Sequence, residues 1–317
     1  MMTHRQFRAS LVPDRGASAR SEAFFRSEHH LRAEGVTHTL AIGEGLGGWL
    51  RLPLIVRAIE GTPYLDAVSP YGYPGGALDG LSEVHKEAVD WQSTGLVSIF
   101  VRDRVQGPRC FAEATGRNEV FFIDPRLPIE FRPMHQRHVR RNVRDGFVST
   151  CEPVLSAPGE AREGFKRAYR ETMVRDRASS RYFFSDAYFE ELFSSPMAWL
   201  LTTRAPDGHV AAAAVCVVSD GVLHYYLGGT AEAYRARSPS KNLFVAMSEL
   251  CTRLGLPLHL GGGMQPGDSL EEFKRGLANS SSRLHTHEII CQPEVYARLA
   301  AGRADGGYFP VYRAAPF

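Results

Sequence analysis

The chain has 317 residues, of which 44% are hydrophobic and 23% charged, with a formal net charge of +2. This is the composition of a folded globular protein, long enough for one large domain or two modest ones. It argues against a bulk nucleic-acid coat, though one basic face remains compatible with it. Five scattered cysteines (110, 151, 216, 251 and 291) form no CxxC pair, which argues against a zinc ribbon or a disulfide scaffold and fits a reducing, cytoplasmic setting.

Residues 1–22 are polar and arginine-rich and read as a flexible arm, with no apolar core for secretion. No apolar run approaches a membrane span. The branched apolar run Gly48–Ile59 predicts a strand. Asp66–Gly76, DAVSPYGYPGG, is a loop, Leu81–Trp91 is helix-like, and Leu96–Val105 is a strand. Glu119–Ile123 is a short strand, and residues 133–146 form a basic helix stopped by Gly146. From Cys151 onward the pattern repeats. Helices are expected at Ala161–Arg175 and Asp186–Ser194, then strands at Ala198–Thr203 and Val210–Val218 around a PDGH turn, and a strand at Leu223–Leu227. Ser238–Leu254 is a helix with Ser238 as N-cap and Pro239 at its first position. A strand at Leu258–Leu260, a helix at Ser269–Leu277, a strand at Arg283–Cys291 and a helix at Pro293–Ala301 complete the chain. Helices thus interrupt strands in both halves, an α/β or α+β pattern with mixed sheets. The expected domains are 23–150 and 151–317, with a cleft between them.

Chemistry concentrates in HLGGGMQPGDSLEEFKRG, His259–Gly276. A strand end meets Gly261, Gly262 and Gly263, where the backbone can approach a ligand closely. A helix follows, with Asp268 and Ser269 as candidate N-caps and Ser269–Glu272 as a capping box. Its free amides and dipole suit an anion, and Lys274 is one of only four lysines in the chain. A plain strand-to-helix turn with a solvated lysine is the competing reading. Tyr71 and Tyr73 on the glycine-rich loop offer flat surfaces and hydroxyls. Arg175 and Tyr182 are placed near a cleft. Arg235, Arg237 and Lys241 gather before a helix N-terminus, either as a second candidate phosphate-binding corner or as an ordinarily capped surface loop, and Arg140 and Arg141 lie on a helix that is either a solvated face or able to touch an RNA backbone. His285 and His287 share one side of a strand, but no third metal ligand is evident, so no metal is assigned. Neither a GxSxG elbow nor a Walker loop is present.

The ordered set DAVSPYGYPGG, RRNVRDG, YRETMVR with YFF and YFEEL, and LGGGMQPGDSLEEFKRG resembles the FemAB-type, or FemX-like, branch of the GNAT superfamily over roughly residues 45 to 300. The resemblance implies two tandem GNAT-like domains. It implies transfer of an amino acid from aminoacyl-tRNA to an amine of a peptide precursor or small metabolite, or transfer from acyl-CoA in other relatives. The family's Phe-Lys pair falls on Phe273 and Lys274, the lysine stabilising charge at the reacting ester. Its cleft tyrosines fall on Tyr71, Tyr73 and Tyr226. Two departures are visible: Leu277 stands where an aromatic is common, and the long coiled-coil arm of some members is missing. These favour a small-molecule acceptor. No permanently bound cofactor is expected, only the co-substrate. A catalytically idle binding protein using the same cleft is the alternative of a different class.

Overall fold

The computed structural model describes residues 7–13, 23–44, 47–79, 84–303 and 306–314. Phe25–Arg117, Leu284–Phe317 and the N-terminal segment form one unit, and Asn118–Arg283 with a short piece ending at Phe24 form another. The division falls well before residue 150, the boundary expected from the sequence. The reason is that the strand and helix spanning 115–144 bond to later elements, through Leu258↔Ile123 and the Asn142–Asn242 amide pair.

The first unit contains β1 (Phe7–Val12), α1 (Glu28–Ala33), β2 (His38–Glu44), β3 (Gly47–Ala58), β4 (Leu65–Val68), β5 (Ala77–Asp79), β6 (Val89–Asp90) and β7 (Ser98–Arg102). Its strand order is β6-β1-β2-β3-β4-β7, with β5 also on β3. The β1–β6 and β4–β7 pairs are parallel. Part of the expected N-terminal arm is therefore a strand: β1 pairs with β2 from Arg8↔Gly43 to Val12↔Thr39. The helix expected at 81–91 is corrected over residues 84–91, which hold a single 3₁₀ turn at Lys86–Ala88 and then β6; residues 81–83 lie outside the described ones. Pairing of Val89 with Phe7, a contact distant in sequence, overrides local helical pattern there. Leu40, Ile42, Leu50, Leu52, Ile99, Val101 and Phe111 form the core.

The second unit contains β8 (Thr115–Ile123), α2 (Pro133–Arg144), β9 (Val148–Pro153), α3 (Gly159–Arg175), α4 (Asp186–Phe193), β10 (Ala198–Arg204), β11 (Val210–Ser219), β12 (Val222–Thr230), α5 (Ser240–Leu254), β13 (Leu258–Gly261) and α6 (Ser269–Arg275). Strand order is β8-β13-β12-β11-β10-β9, with β12–β13 the parallel pair. β14 (Ser280–Ile290) carries the chain back to the first unit, where it pairs antiparallel with β7, and α7 (Pro293–Ala300) follows. The sequence of β11, VAAAAVCVVS, shows no alternation because helices cover both its faces, and it is buried almost throughout. Ala212, Ala214 and Cys216 join Leu243, Phe244, Met247 and Leu250 of α5 in one core. On β12, a methyl group at Gly229 would lie 2.3 Å from the Ala168 carbonyl of α3, so helix and strand backbones pack directly.

Candidate functional site

β12 and β13 pair only at Leu223↔Leu258 and His224↔His259. Beyond these residues the two strands are not paired with each other, and β13 instead follows β8 with an irregularity between His259 and Gly261. Gly261 makes this departure possible: its φ is +80°, a conformation that L side chains resist. At Gly262 a Cβ would lie 2.4 Å from the Glu119 carbonyl oxygen.

The loop that follows is held by Asp268. One of its carboxylate oxygens accepts from the Glu271 N–H (2.7 Å), and the other accepts from Met264 (2.7 Å) and Gln265 (2.9 Å). Glu271 reaches back to accept from the Gly267 N–H at 3.1 Å. Asp268 is thus the N-cap of α6, accepting from the Glu271 N–H while Glu271 accepts from Gly267, the residue before the cap, in place of the expected Ser269–Glu272 box. This cap sets the rotation of α6. Phe273 packs edge-on against Phe244 of the core at 5.4 Å. Lys274 turns back toward the glycines and donates from Nζ to the Gly262 carbonyl at 2.8 Å. Burial lowers the Lys274 pKa to about 8, with Asp268 opposing.

Behind this ammonium lie two fully buried histidines. His224 and His259 approach Nδ1 to Nδ1 at 3.2 Å. Burial lowers both, His224 to about 4 and His259 well below its usual value, with His224 and Lys274 adding to the effect on His259. Both are neutral at physiological pH, so the cation beside them is Lys274. The sequence pattern did not single out this pair, because each histidine sits alone in an apolar strand and only the β12–β13 pairing joins them.

The second predicted corner also assembles. Arg141 donates to the Arg237 carbonyl at 3.0 Å, and Lys241 Nζ lies 2.7 Å from His138 Nδ1. Burial, then Arg141, lowers the Lys241 pKa. Burial, Lys241 and two arginines lower His138. The predicted cap is corrected: Ser238 adopts φ +51° and ends a 3₁₀ turn, and α5 begins at Ser240 after Pro239. Arg237 pairs with Asp145 and lies over Phe147. Arg235 is exposed near Glu232 at 3.7 Å, and Arg140 donates to Gln136 at 3.1 Å. Cations from α2 and the start of α5 therefore share one corner of the second unit.

The remaining predicted residues have defined structural partners. Arg175 donates to the Thr230 carbonyl (3.2 Å), Glu232 (3.1 Å), Thr172 (3.2 Å) and Asp176 (3.2 Å), which makes it a strut between α3 and the end of β12. The Tyr182 carbonyl accepts from the Tyr169 hydroxyl at 2.8 Å. Tyr226 on β12 shares a short hydroxyl–hydroxyl hydrogen bond with Tyr188 of α4, a partner not singled out in sequence. Tyr71 and Tyr73 belong to the first unit. There Glu34 accepts from the Tyr71 N–H at 3.0 Å, and Tyr73 packs edge-on against Phe25 at 5.8 Å.

Residues 134–275 match the acetyltransferase (GNAT) domain family. The fold is GNAT-like. The matched span runs from α2 to α6 and takes in both the cationic corner and Lys274. FemX superposes with a TM-score of 0.56 at 11% identity, over 82% of this chain and 89% of FemX. The C-terminal DUF2156 domain of an Agrobacterium fabrum protein assigned as a lysylphosphatidylglycerol synthetase gives 0.55 at 14% identity, over 88% and 90%. L-PGS from Bacillus licheniformis gives 0.52 at 12% identity, over 78% and 82%. At these identities the likeness is one of fold. No curated protein sequence matches the chain. Among the described residues, no helix is long and apolar enough to cross a membrane.

Proposed function

We propose that this chain is an aminoacyl-type N-acyltransferase that moves an amino acid from aminoacyl-tRNA to an amine of a small metabolite or peptide precursor. The observation that carries the proposal is the Lys274 ammonium, held against the Gly261–Gly262 backbone where β12 and β13 are no longer paired. An acyl carbonyl placed there meets a fixed positive charge. The acceptor nitrogen attacks the carbonyl carbon, the carbon–oxygen bond to the donor ribose breaks, and the amine proton ends on the departing ribose oxygen. Charge developing on the carbonyl oxygen is stabilised by Lys274, an effect worth roughly 3 kcal/mol for one well-placed donor. The donor is already an activated ester, so no enzymic nucleophile is needed. The donor phosphates lie on the Arg141–Lys241 corner, with Arg140, Arg235 and Arg237 around it.

A second reading keeps the chemistry and changes the donor to acyl-CoA, and the match to an acetyltransferase domain favours it. Mass spectrometry of candidate amines incubated with total aminoacyl-tRNA, with and without RNase, and separately with acyl-CoA, distinguishes the two. Product lost on RNase treatment supports the tRNA donor. Product formed only with acyl-CoA replaces it with the second reading, and undiminished product with Lys274→Ala removes the role given to Lys274.

A further inference from the structure

His287 is left without chemistry by the transfer reaction, and in sequence it lacked the companions a metal needs. The fold of the first unit provides them. Asp103 follows the end of β7, Cys110 lies in the segment after it, and His287 sits on β14, which pairs with β7 at His287↔Val101. All three side chains are 0% exposed. His287 Nε2 lies 2.8 Å from one Asp103 oxygen and Cys110 Sγ 3.3 Å from the other, and the three potential ligand atoms fall within 4.8 Å of one another.

The hydrogen positions follow from the partners. His287 Nδ1 is 2.9 Å from the Glu113 carbonyl oxygen, which can only accept, so Nδ1 carries a hydrogen. Nε2 faces a carboxylate, which when ionised also only accepts. A positive species therefore belongs between Nε2 and Asp103: a proton, making an imidazolium, or a metal ion. The two fillings balance the same charge. Imidazolium, carboxylate and thiol sum to zero. So do neutral imidazole, carboxylate, thiolate and a divalent cation, which replaces two protons. The donation from Nδ1 to a carbonyl is the usual way in which a metal-binding histidine is oriented. Asp103 is also fixed from behind by the N–H groups of Arg104 (2.9 Å) and Cys110 (3.2 Å). One nitrogen, one sulfur and one carboxylate oxygen suit a borderline ion. Metal–ligand bonds of about 2.0–2.3 Å in a tetrahedral site place donors roughly 3.3–3.8 Å apart, so the Nε2–Oδ2 and Sγ–Oδ1 separations each need to open by only a few tenths of an ångström.

We propose that Asp103, Cys110 and His287 bind one divalent ion of the zinc class, which ties β7 and the segment after it to β14. The site is separate from the transfer chemistry of the second unit. With three protein donors it binds less tightly than a closed four-ligand site.

The test uses the full chain purified without chelator, loaded with excess Zn²⁺ or Co²⁺, desalted and measured for metal content. About one ion per chain is expected, released by chelator and diminished in Cys110→Ala and His287→Ala. The cobalt form is expected to show a thiolate-to-metal charge-transfer band that Cys110→Ser loses. The exposed cluster of His85, Glu87 and Glu113 is the competing location, so His85→Ala should keep the ion. The proposal is overturned by a folded wild-type chain that retains only substoichiometric metal, by retention in both Cys110→Ala and His287→Ala, or by loss in His85→Ala. If the buried-site variants fail to fold, the wild-type cobalt spectrum decides, and absence of the thiolate band overturns the site.

Discussion

A methyl group at Gly261 would lie 2.9 Å from Lys274 Nζ. The ammonium that donates to the glycine backbone is thus packed against the residue whose left-handed conformation lets β13 leave β12. Gly261→Ala combines a backbone conformation that alanine resists with displacement of that ammonium. Such strain costs roughly 1–3 kcal/mol. The expected outcome is a fall in kcat of about 10- to 100-fold from a modest displacement of a charge-stabilising group, measured by steady-state acyl transfer on protein shown to be folded.

Lys274→Met separates catalysis from stability. Removing a well-placed charge is expected to lower kcat by about 10²–10³-fold. The partly buried ammonium is costly to desolvate, a cost that methionine removes. The Gly262 carbonyl loses its donor, which opposes the gain. Thermal melting is therefore expected to show a midpoint equal to or above wild type.

The pKa of Lys274, lowered from 10.5 to about 8, makes two pH predictions. If the ammonium is the working form, kcat falls as pH rises through about 8. Stability runs the other way. Between about 8 and 10.5 the unfolded chain binds the proton that the folded chain has released, so the contribution of Lys274 to unfolding free energy rises with pH. In Lys274→Met both features disappear, which a pH–rate profile and denaturant titrations at pH 8 and 10 would reveal.

At the cationic corner, Lys241→Ala is expected to raise the donor KM and to leave kcat nearly unchanged, because Lys241 is assigned to donor phosphate and not to the acyl carbon. With a tRNA donor, the slope of log affinity against log salt should shrink by about one per contact removed. An unchanged KM and an unchanged salt slope would move the donor elsewhere.

Packing of α3 on β12 is tested by Gly229→Ala. The new methyl would lie 2.3 Å from the Ala168 carbonyl and 2.7 Å from the Tyr169 Cα. Backbone cannot rotate away as a side chain does, so a loss of roughly 1–3 kcal/mol is expected in denaturant unfolding.

Local pattern made much of this legible. The apolar run Val210–Val218 beside its PDGH turn gave β11 as a strand, and FKRG behind a glycine turn made Lys274 a candidate. Where local pattern misled, a distant partner decided. Ser238 obeys the N-cap preference in sequence, yet it takes φ +51° and α5 starts at Ser240. Phe7–Val12 has weak alternation and buries only Ala9, so nothing within the segment announces the strand that β2 completes.

By itself the sequence determined which segments form strands or helices over most of the second unit and where glycine frees the backbone, since these depend on residues within a turn or two of one another. Tertiary structure alone decided what Lys274 faces, that His224 meets His259, and that His287 meets Asp103 and Cys110. Those contacts join residues 12 to 184 positions apart. They exist only because strand pairing brings them within hydrogen-bonding distance and burial removes the water that would otherwise compete.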